Sequence, residues 1–313
     1  MRWGILGAAK FAREHMGPAI HAAKGAELAG LATSDPAKAA PFRAFAPAIT
    51  VYDSYEALLA DPEIDAVYVP LPNHLHVEWT LKALAAGKHV LCEKPITLAA
   101  QEFDQLEAAA AKAGRLCAEA FMIVHHPQFA RARDIVQGGE IGNLVHVDAV
   151  FSYDNTGDVT NYRNKPEMGV YTFGGARFVT GAEPVDIPYA KIRYDHGVDV
   201  FAQVAANFAG FTYSAVVSMR MQPRQEMVFH GDRGVLRLTC PFNAGVFGVA
   251  EMTVETDGRQ IVTEQWPQVN QYVLQVENFG AAARGGAAYP CPMSFSRGTQ
   301  EMIDMVFEAG GRA

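Results

Sequence analysis

Short apolar runs alternate with amphipathic stretches over the first 120 residues of the chain. Five runs are apolar throughout, as strands covered on both faces are, and they lie at residues 2–6, 28–32, 66–69, 89–91 and 116–119. Between them, apolar residues recur with helical spacing at residues 54–59, 75–86 and 99–113. This alternation predicts a parallel sheet with helices on both faces.

From about residue 145 the pattern changes to alternation of apolar and polar residues with a period of two. The alternating runs lie at residues 144–153, 197–208, 211–221, 226–231, 234–240 and 249–258, and helical patterns return at 271–285 and 294–310. Period-two alternation predicts a largely antiparallel sheet with one buried face. We therefore predict an α/β protein whose first domain covers residues 1–120 and whose second domain covers residues 121–313.

Composition narrows the possible partners and the compartment. The 313 residues carry a formal net charge of −8, with lysine and arginine spread along the chain, so nucleic acid is not an expected partner. No apolar run approaches the roughly 20 residues that span a bilayer, and the N-terminal residues do not resemble a signal peptide. The four cysteines are scattered without C-x-x-C spacing. We expect a cytoplasmic protein with reduced thiols, no membrane partner and no metal site.

The first predicted strand runs into the sequence Gly-Ala-Ala-Lys-Phe-Ala at residues 7–12. A dinucleotide pyrophosphate needs small residues at the first, third and sixth positions of this loop, so that backbone N–H groups can approach it. Gly7, Ala9 and Ala12 occupy them, so only the first of the three usual glycines is present. A strand-to-helix turn without a ligand is the alternative. The predicted cofactor contacts are Gly7, Ala9, Lys10, Phe11 and Ala12.

The end of the second predicted strand bears on the choice between NAD and NADP. NAD sites usually place an acid here, where it binds the ribose hydroxyls. This chain has Thr33 and Ser34, with Asp35 one or two positions late and Lys38 beyond. Hydroxyl groups with a nearby lysine suit a 2′-phosphate, so we favour NADP over NAD. The alternative is that Ser34 and Asp35 begin a turn.

Two polar motifs follow later strands at their carboxyl ends, where open parallel sheets bind ligands. The first, VPLPNHLH, predicts cofactor contacts at Pro70, Leu71, Asn73 and His76, unless Asn73 and His76 only cap a helix or lie at the surface.

The second motif is Glu93-Lys94-Pro95. Proline fixes its own φ and restricts the residue before it, and Glu93 can orient the lysine ammonium group. A positively charged nicotinamide beside Lys94 lowers the lysine pKa, which suits proton transfer. We predict that Glu93 and Lys94 contact the cofactor and act in catalysis.

Three sequences, WGILGAAKFA, DAVYVPLPNHLH and AGKHVLCEKPIT, resemble the Gfo/Idh/MocA family of NAD(P)-dependent oxidoreductases. The similarity continues through AEAFMIVHHPQF, GEIGNLVHVDAVF and FHGDRGVLRL to the terminal helices, so it covers essentially the whole chain. It implies an N-terminal Rossmann domain and a C-terminal α+β domain with a large, mostly antiparallel sheet. It also implies hydride transfer between NAD(P) and a carbinol carbon of a sugar, polyol or related small molecule. Members often form dimers or tetramers through the C-terminal sheet, and many with G-x-A-x-x-A loops use NADP.

The resemblance further implies a D-x-G-x-H or D-x-G-x-Y motif, whose acid and His or Tyr reach the substrate from one helix face. Tyr171 occupies the last position and Gly169 the middle one, but Glu167 stands where Asp is expected, and the preceding turn is short. Either Glu167 replaces the Asp, or the Asp belongs to a loop segment absent from this chain; Pro166 in a loop-like run favours the second. Tyr171 is the predicted second acid/base, with packing between the domains as the alternative.

Weaker candidates for substrate contact are His125 and Arg163, and the His125–His126 pair equally suits a structural role. Two other functions stay open. One is a non-catalytic NADP-binding sensor or regulatory protein, which the loose glycine loop and the missing Asp leave room for. The other is a dihydrodiol-type dehydrogenase with a non-sugar substrate.

Overall fold

The computed structural model describes residues 1–155, 157, 169–256 and 260–311. The chain divides into two compact units, Met1–His125 with Asn270–Ser296, and His126–Val269 with Arg297–Ala313. The first domain predicted from the sequence covers residues 1–120. It does not include residues 270–296, which belong to the first unit. Within the described residues, no helix has both the length and the apolar character needed to cross a membrane.

The first unit contains a six-stranded parallel sheet. Its strands are β1 (Arg2–Leu6), β2 (Glu27–Ala32), β3 (Thr50–Tyr52), β4 (Ala66–Val69), β5 (His89–Glu93) and β6 (Cys117–Ala120), in the order β3-β2-β1-β4-β5-β6. The five strands predicted from apolar runs are confirmed to within two residues at each end. The prediction lacks β3, whose three residues are only partly buried or exposed.

The second unit contains an eight-stranded sheet. Its strands are β7 (Leu144–Asp154), β8 (Pro184–Asp195), β9 (Val198–Phe208), β10 (Phe211–Ser218), β11 (Arg220–Gly231), β12 (Gly234–Leu238), β13 (Ala250–Thr256) and β14 (Gln260–Trp266). Their order is β14-β13-β12-β11-β7-β10-β9-β8. All neighbouring pairs are antiparallel except β7 and β10, so the predicted, mostly antiparallel sheet is confirmed.

The helices are α1 (Gly17–Ala22), α2 (Ala40–Arg43), α3 (Tyr55–Ala60), α4 (His76–Ala85), α5 (Phe103–Ala113), α6 (Pro127–Gln137), α7 (Val170–Thr180), α8 (Gln271–Ala283) and α9 (Met293–Gly310).

Helices cover both faces of the parallel sheet. Successive side chains of β1 point to opposite faces, and each face meets a helix. Gly4 faces α3, so closely that an added Cβ would lie 2.6 Å from the Leu58 Cδ2 atom. Trp3 faces the other way and packs against Phe279 of α8, with ring centroids 5.0 Å apart. The predicted two-faced covering of this sheet is therefore confirmed.

Helix α7, which carries Tyr171, packs closely on the antiparallel sheet. At Gly175 an added Cβ would lie 3.0 Å from the Met227 sulfur of β11 and 3.3 Å from the Phe129 ring of α6. A glycine at this point lets the helix backbone approach the sheet, and it helps to fix the depth at which Tyr171 is held.

Candidate active site

The loops at the carboxyl edge of the parallel sheet bring the first-unit candidates together. Gly7 follows β1, and its N–H donates to the Ala32 carbonyl at the end of β2 (2.9 Å). An added Cβ on Gly7 would lie 3.2 Å from the Leu71 side chain in the loop after β4. Parallel strands all end at one edge, so these loops form a continuous surface.

The glycine loop fits a dinucleotide at its first position. Gly7 has a φ of +99°, a conformation that residues with a Cβ rarely adopt, and its Cβ position lies 3.1 Å from the Tyr55 hydroxyl. Ala12 is fully buried and begins a single turn of π-helix that ends at Met16. Both positions therefore need small residues, as a backbone cradle for pyrophosphate does.

The residues after β2 divide between turn formation and ligand contact. The Asp35 N–H donates to the buried Thr33 hydroxyl (3.2 Å), and the Asp35 carboxylate accepts from the Ala37 N–H (3.0 Å). The turn interpretation thus accounts for Thr33 and Asp35. Ser34 and Lys38 have exposed side chains and are available to a phosphate group.

At the end of β5, Glu93 is held by two donors. The Tyr68 hydroxyl donates to Glu93 Oε1 (2.6 Å), and the Lys94 backbone N–H donates to Glu93 Oε2 (3.2 Å). Burial raises the pKa of Glu93, while the Tyr68 hydrogen bond and the Lys94 charge oppose that rise. Glu93 therefore positions the backbone of Lys94, and the Lys94–Pro95 peptide bond is cis.

Sequence reasoning missed Tyr68 and Glu119, which support this turn. Tyr68 is fully buried in β4, and Glu119 of β6 is buried and accepts a hydrogen bond from the Ile96 N–H (2.9 Å). A polar group in an otherwise apolar strand was the available signal for both, since such a group needs a partner when buried.

His76 is buried between two loops of the first unit. It is fully buried, and its ring nitrogens lie 2.8 Å from the Pro95 carbonyl oxygen and 2.7 Å from the Leu71 carbonyl oxygen. Both nitrogens are thus hydrogen-bonded within the protein, and the cofactor contact at His76 stays a prediction. His76 instead joins the loops after β4 and β5.

Asn73 retains the capacity to bind a ligand. Its side chain is buried, and among the described residues its Nδ2 atom has no hydrogen-bond partner. A buried amide donor without a partner is costly. This orphaned donor, together with the cradle at Gly7, fits a bound dinucleotide.

His125, a predicted substrate contact, is hydrogen-bonded to two side chains of the first unit. His125 Nε2 lies 3.1 Å from the Tyr289 hydroxyl, and the Asn278 amide nitrogen lies 2.9 Å from its Nδ1. Burial lowers the pKa of His125 to about 3. These contacts and the lowered pKa favour the structural role that the sequence left open for His125.

Tyr272 is a further residue that sequence reasoning missed. Its ring lies 5.4 Å from the His15 ring and 5.7 Å from the Phe11 ring, which places it beside the glycine loop. Burial, with a smaller effect of the Glu93 charge, raises the pKa of Tyr272 to about 12. Its position on α8, some 180 residues from Glu93 in sequence, left no local signal.

In the second unit, Tyr171 lies in the first turn of α7. The helix starts after Gly169, whose φ is +106°, and an added Cβ there would overlap the Phe173 ring. The Tyr171 ring stacks on Phe242 at 5.8 Å and meets the edge of Phe151 at 5.6 Å. This aromatic packing orients the ring.

Arg163 and Glu167 lie outside the described residues, so their predicted roles stay predictions. Over the part of the chain that the structure describes, no three His, Cys, Asp or Glu side chains are grouped as a metal site requires.

Comparison with known proteins identifies the class that this fold and site define. A family model described as "Oxidoreductase family, NAD-binding Rossmann fold" matches residues 1–121, and the GFO/IDH/MocA C-terminal domain matches residues 129–237. The chain belongs to the GFO/IDH/MocA family of oxidoreductases, which confirms the resemblance found in its motifs.

Individual relatives align over almost the full length of the chain. A dTDP-3,4-didehydro-2,6-dideoxy-α-D-glucose 3-reductase of Saccharopolyspora spinosa is 41% identical, with 100% of this chain and 97% of the relative covered. An NADP⁺-dependent D-xylose 1-dehydrogenase of Haloferax volcanii is 34% identical, with 99% and 97% covered. The crystal structure of a 3-ketoreductase from Actinomadura kijaniata, in complex with NADP and TDP-benzene, superposes with a TM-score of 0.89 at 27% identity, covering 99% and 97%.

Proposed function

We propose that this protein is an NADP-dependent oxidoreductase that transfers a hydride reversibly to or from a carbinol carbon of a sugar, polyol or related small molecule. The observation that carries the proposal is the Glu93–Lys94 turn at the carboxyl edge of the parallel sheet. The full-length similarity to a sugar dehydrogenase and a nucleotide-sugar reductase supports it.

NADP is proposed over NAD because of the residues after β2. An acid that binds ribose hydroxyls would favour NAD, but Asp35 is committed to capping the following turn. Ser34 and Lys38 are left exposed, and a hydroxyl with an ammonium group suits the 2′-phosphate. The glycine loop and Asn73 would hold the pyrophosphate and another polar group of the dinucleotide.

When bound, NADP supplies or accepts the hydride at its nicotinamide ring. In the proposed mechanism, Lys94 donates a hydrogen bond to the reacting oxygen and exchanges its proton. Glu93 holds the Lys94 backbone through the contact described above, so that the ammonium group projects from a fixed turn. Positioning of this kind is a large part of catalysis in such reactions.

Tyr171 is the proposed second acid/base and substrate contact, and Arg163 is a proposed contact to substrate hydroxyls. The stacking of Tyr171 on Phe242 supports an oriented hydroxyl group. Whether Glu167 acts in place of the family Asp stays open, because that residue lies outside the described part of the chain.

We also propose a homodimer or homotetramer formed through one face of the eight-stranded sheet. Apolar side chains interrupt the polar residues of that face, including Tyr189 with 47% of its surface exposed and the partly exposed Val150 and Val216. Exposed apolar surface of this kind is typical of association sites. A cytoplasmic location is proposed because all four cysteines are free and buried.

The experiment is a panel of aldoses, inositols, other polyols and diols, each incubated with NAD⁺ or NADP⁺, with absorbance of the reduced nicotinamide as the readout. We expect turnover with a sugar or polyol and a higher kcat/KM with NADP⁺. Turnover of diols alone would point to a dihydrodiol dehydrogenase. NADP binding without turnover of any substrate would contradict catalysis and favour a sensor.

A further inference from the structure

His76 makes two contacts that an ordinary histidine cannot satisfy together. One ring nitrogen faces the Pro95 carbonyl oxygen at 2.8 Å, and the other faces the Leu71 carbonyl oxygen at 2.7 Å. Both distances lie within the range of strong hydrogen bonds, and the side chain is fully buried. Water therefore cannot replace either partner.

The chemistry of imidazole decides what these contacts require. A carbonyl oxygen only accepts hydrogen bonds, and a neutral imidazole has one N–H and one nitrogen lone pair. In the neutral form, one lone pair would face a carbonyl lone pair at less than 3 Å, which is repulsive. Only the imidazolium, with an N–H on each nitrogen, donates to both oxygens.

We propose that His76 is held as a doubly protonated imidazolium and is the positioning residue that fixes the turn carrying Lys94. Pro95 follows Lys94 directly, so the hydrogen bond to its carbonyl restrains the turn. The second hydrogen bond, to Leu71, ties that turn to the loop after β4. The two motifs that sequence reasoning treated separately are thus one structural unit. The effect on catalysis rests on the proposed function, whereas the charge state does not.

The turn after β5 contains charged groups, and hydrogen bonds hold His76 beside it. Glu93 ends β5, and Glu119 of β6 accepts the N–H of Ile96, the residue after Pro95. The Lys94 charge acts on Glu93 and lowers its pKa. A buried charge is retained where hydrogen bonds compensate its desolvation, and His76 has a carbonyl oxygen at each ring nitrogen.

The test of the charge state is the ¹⁵N spectrum of protein labelled on its ten histidine rings. At about pH 8, a free histidine with a pKa near 6.5 is neutral and shows one protonated and one unprotonated nitrogen. We expect one ring with both nitrogens protonated, and we expect that pair to disappear in His76→Gln. A His76 ring with an unprotonated nitrogen would overturn the proposal.

The test of positioning compares kinetics with cofactor binding. In His76→Gln we expect kcat to fall about 10- to 100-fold, because a small displacement of a catalytic group has effects of that size. The Kd for NADP should change less than about threefold, because the variant loses the placement of Lys94 and not a contact with the cofactor. His21→Gln, at an exposed histidine of α1, is the matched control and should leave both values unchanged.

An unchanged kcat in His76→Gln would overturn the positioning role. If His76→Gln does not fold, the wild-type spectrum still decides the charge, and His76→Asn replaces it in the kinetics. The spectrum needs no substrate. A chain with the expected spectrum and no turnover on any substrate would therefore contradict the proposed function alone.

Discussion

At the scale of single residues, the turn after β5 depends on a carboxylate that accepts hydrogen bonds from two donors. Glu93 accepts from the Tyr68 hydroxyl and from the Lys94 backbone N–H. Burial favours its neutral form, and the hydrogen bonds favour the charged form that can orient Lys94. The ionisation of Glu93 is therefore balanced between opposing effects and is sensitive to the loss of one partner.

Tyr68→Phe removes one donor without changing the shape of the β4 side chain. A hydrogen bond to a carboxylate stabilises its charged form, so its loss raises the pKa of Glu93 further. We expect the acidic limb of the kcat/KM–pH profile to move to higher pH by about one unit, with the alkaline limb unchanged. Superimposable profiles would show that the ionisation of Glu93 does not control turnover.

Lys38→Ala tests the coenzyme assignment. The ammonium group would make a charge-assisted hydrogen bond to the 2′-phosphate, so its loss should weaken NADP⁺ binding by about tenfold, or about 1.4 kcal/mol. NAD⁺ lacks this phosphate, and its Kd should not change. Titration of both coenzymes with wild type and variant measures the difference. An equal loss for both would mean that Lys38 does not recognise the phosphate.

At the scale of helices and strands, Gly169 sets the start of the helix that carries Tyr171. Its φ is +106° and the ring of Phe173 occupies the place of a Cβ. The helix can therefore begin here only at a glycine. The same glycine sits two residues before Tyr171 in the motif that sequence comparison drew attention to.

Gly169→Ala should lower the free energy of unfolding by about 2–4 kcal/mol, because backbone strain and overpacking add. The matched control is Gly197→Ala, where φ is +78° but no atom lies within 4 Å of the new Cβ. That variant carries strain alone and should lose only about 1 kcal/mol. Urea unfolding measures both. Equal losses would show that contact with Phe173 adds nothing.

The strands that the sequence pattern did not predict share a position. β3 is an edge strand of the first sheet, and β8 and β14 are the two edges of the second. Edge strands are less buried, and β14 is almost entirely exposed, so they lack the apolar runs on which the prediction depends. Interior strands, whose side chains are covered, carried the signal.

Within the site, the sequence predicted residues in contiguous motifs but not residues that the fold brings together. Lys94 and Gly7 were found because their motifs are contiguous and fall at strand ends. Tyr68, Glu119 and Tyr272 are brought to the site by strand pairing and by the return of α8, which no short stretch of sequence encodes. His76 was found, but its task depends on a carbonyl 19 residues away.

At the scale of the whole molecule, stability toward acid depends on a buried neutral histidine. The pKa of His125 is lowered from an ordinary 6.5 to about 3, because burial disfavours its charged form. The unfolded chain binds this proton below about pH 6.5 and the folded chain does not. Folding free energy is therefore lost progressively as pH falls from about 6.5 to about 3.

His125→Gln removes this proton uptake and keeps an amide that can hydrogen-bond. At pH 7 the variant should be less stable by about 1–2 kcal/mol, since packing is disturbed. Between pH 6.5 and 4 its unfolding free energy should fall less steeply than that of wild type. Chemical denaturation at several pH values gives both slopes. Parallel curves would mean that His125 does not contribute to acid unfolding.

The central claim, that Lys94 carries the chemistry of an NADP-dependent oxidoreductase, is tested most directly by Lys94→Ala. Two quantities are measured: NADPH binding, with fluorescence as the readout, and turnover on the best substrate of the panel. The control is Lys82→Ala, at an exposed lysine of α4 paired with Glu78. We expect Lys94→Ala to bind NADPH within about threefold of wild type and to lose at least about 10³-fold in kcat, with Lys82→Ala unchanged. Turnover that persists in Lys94→Ala near the wild-type rate would contradict the account.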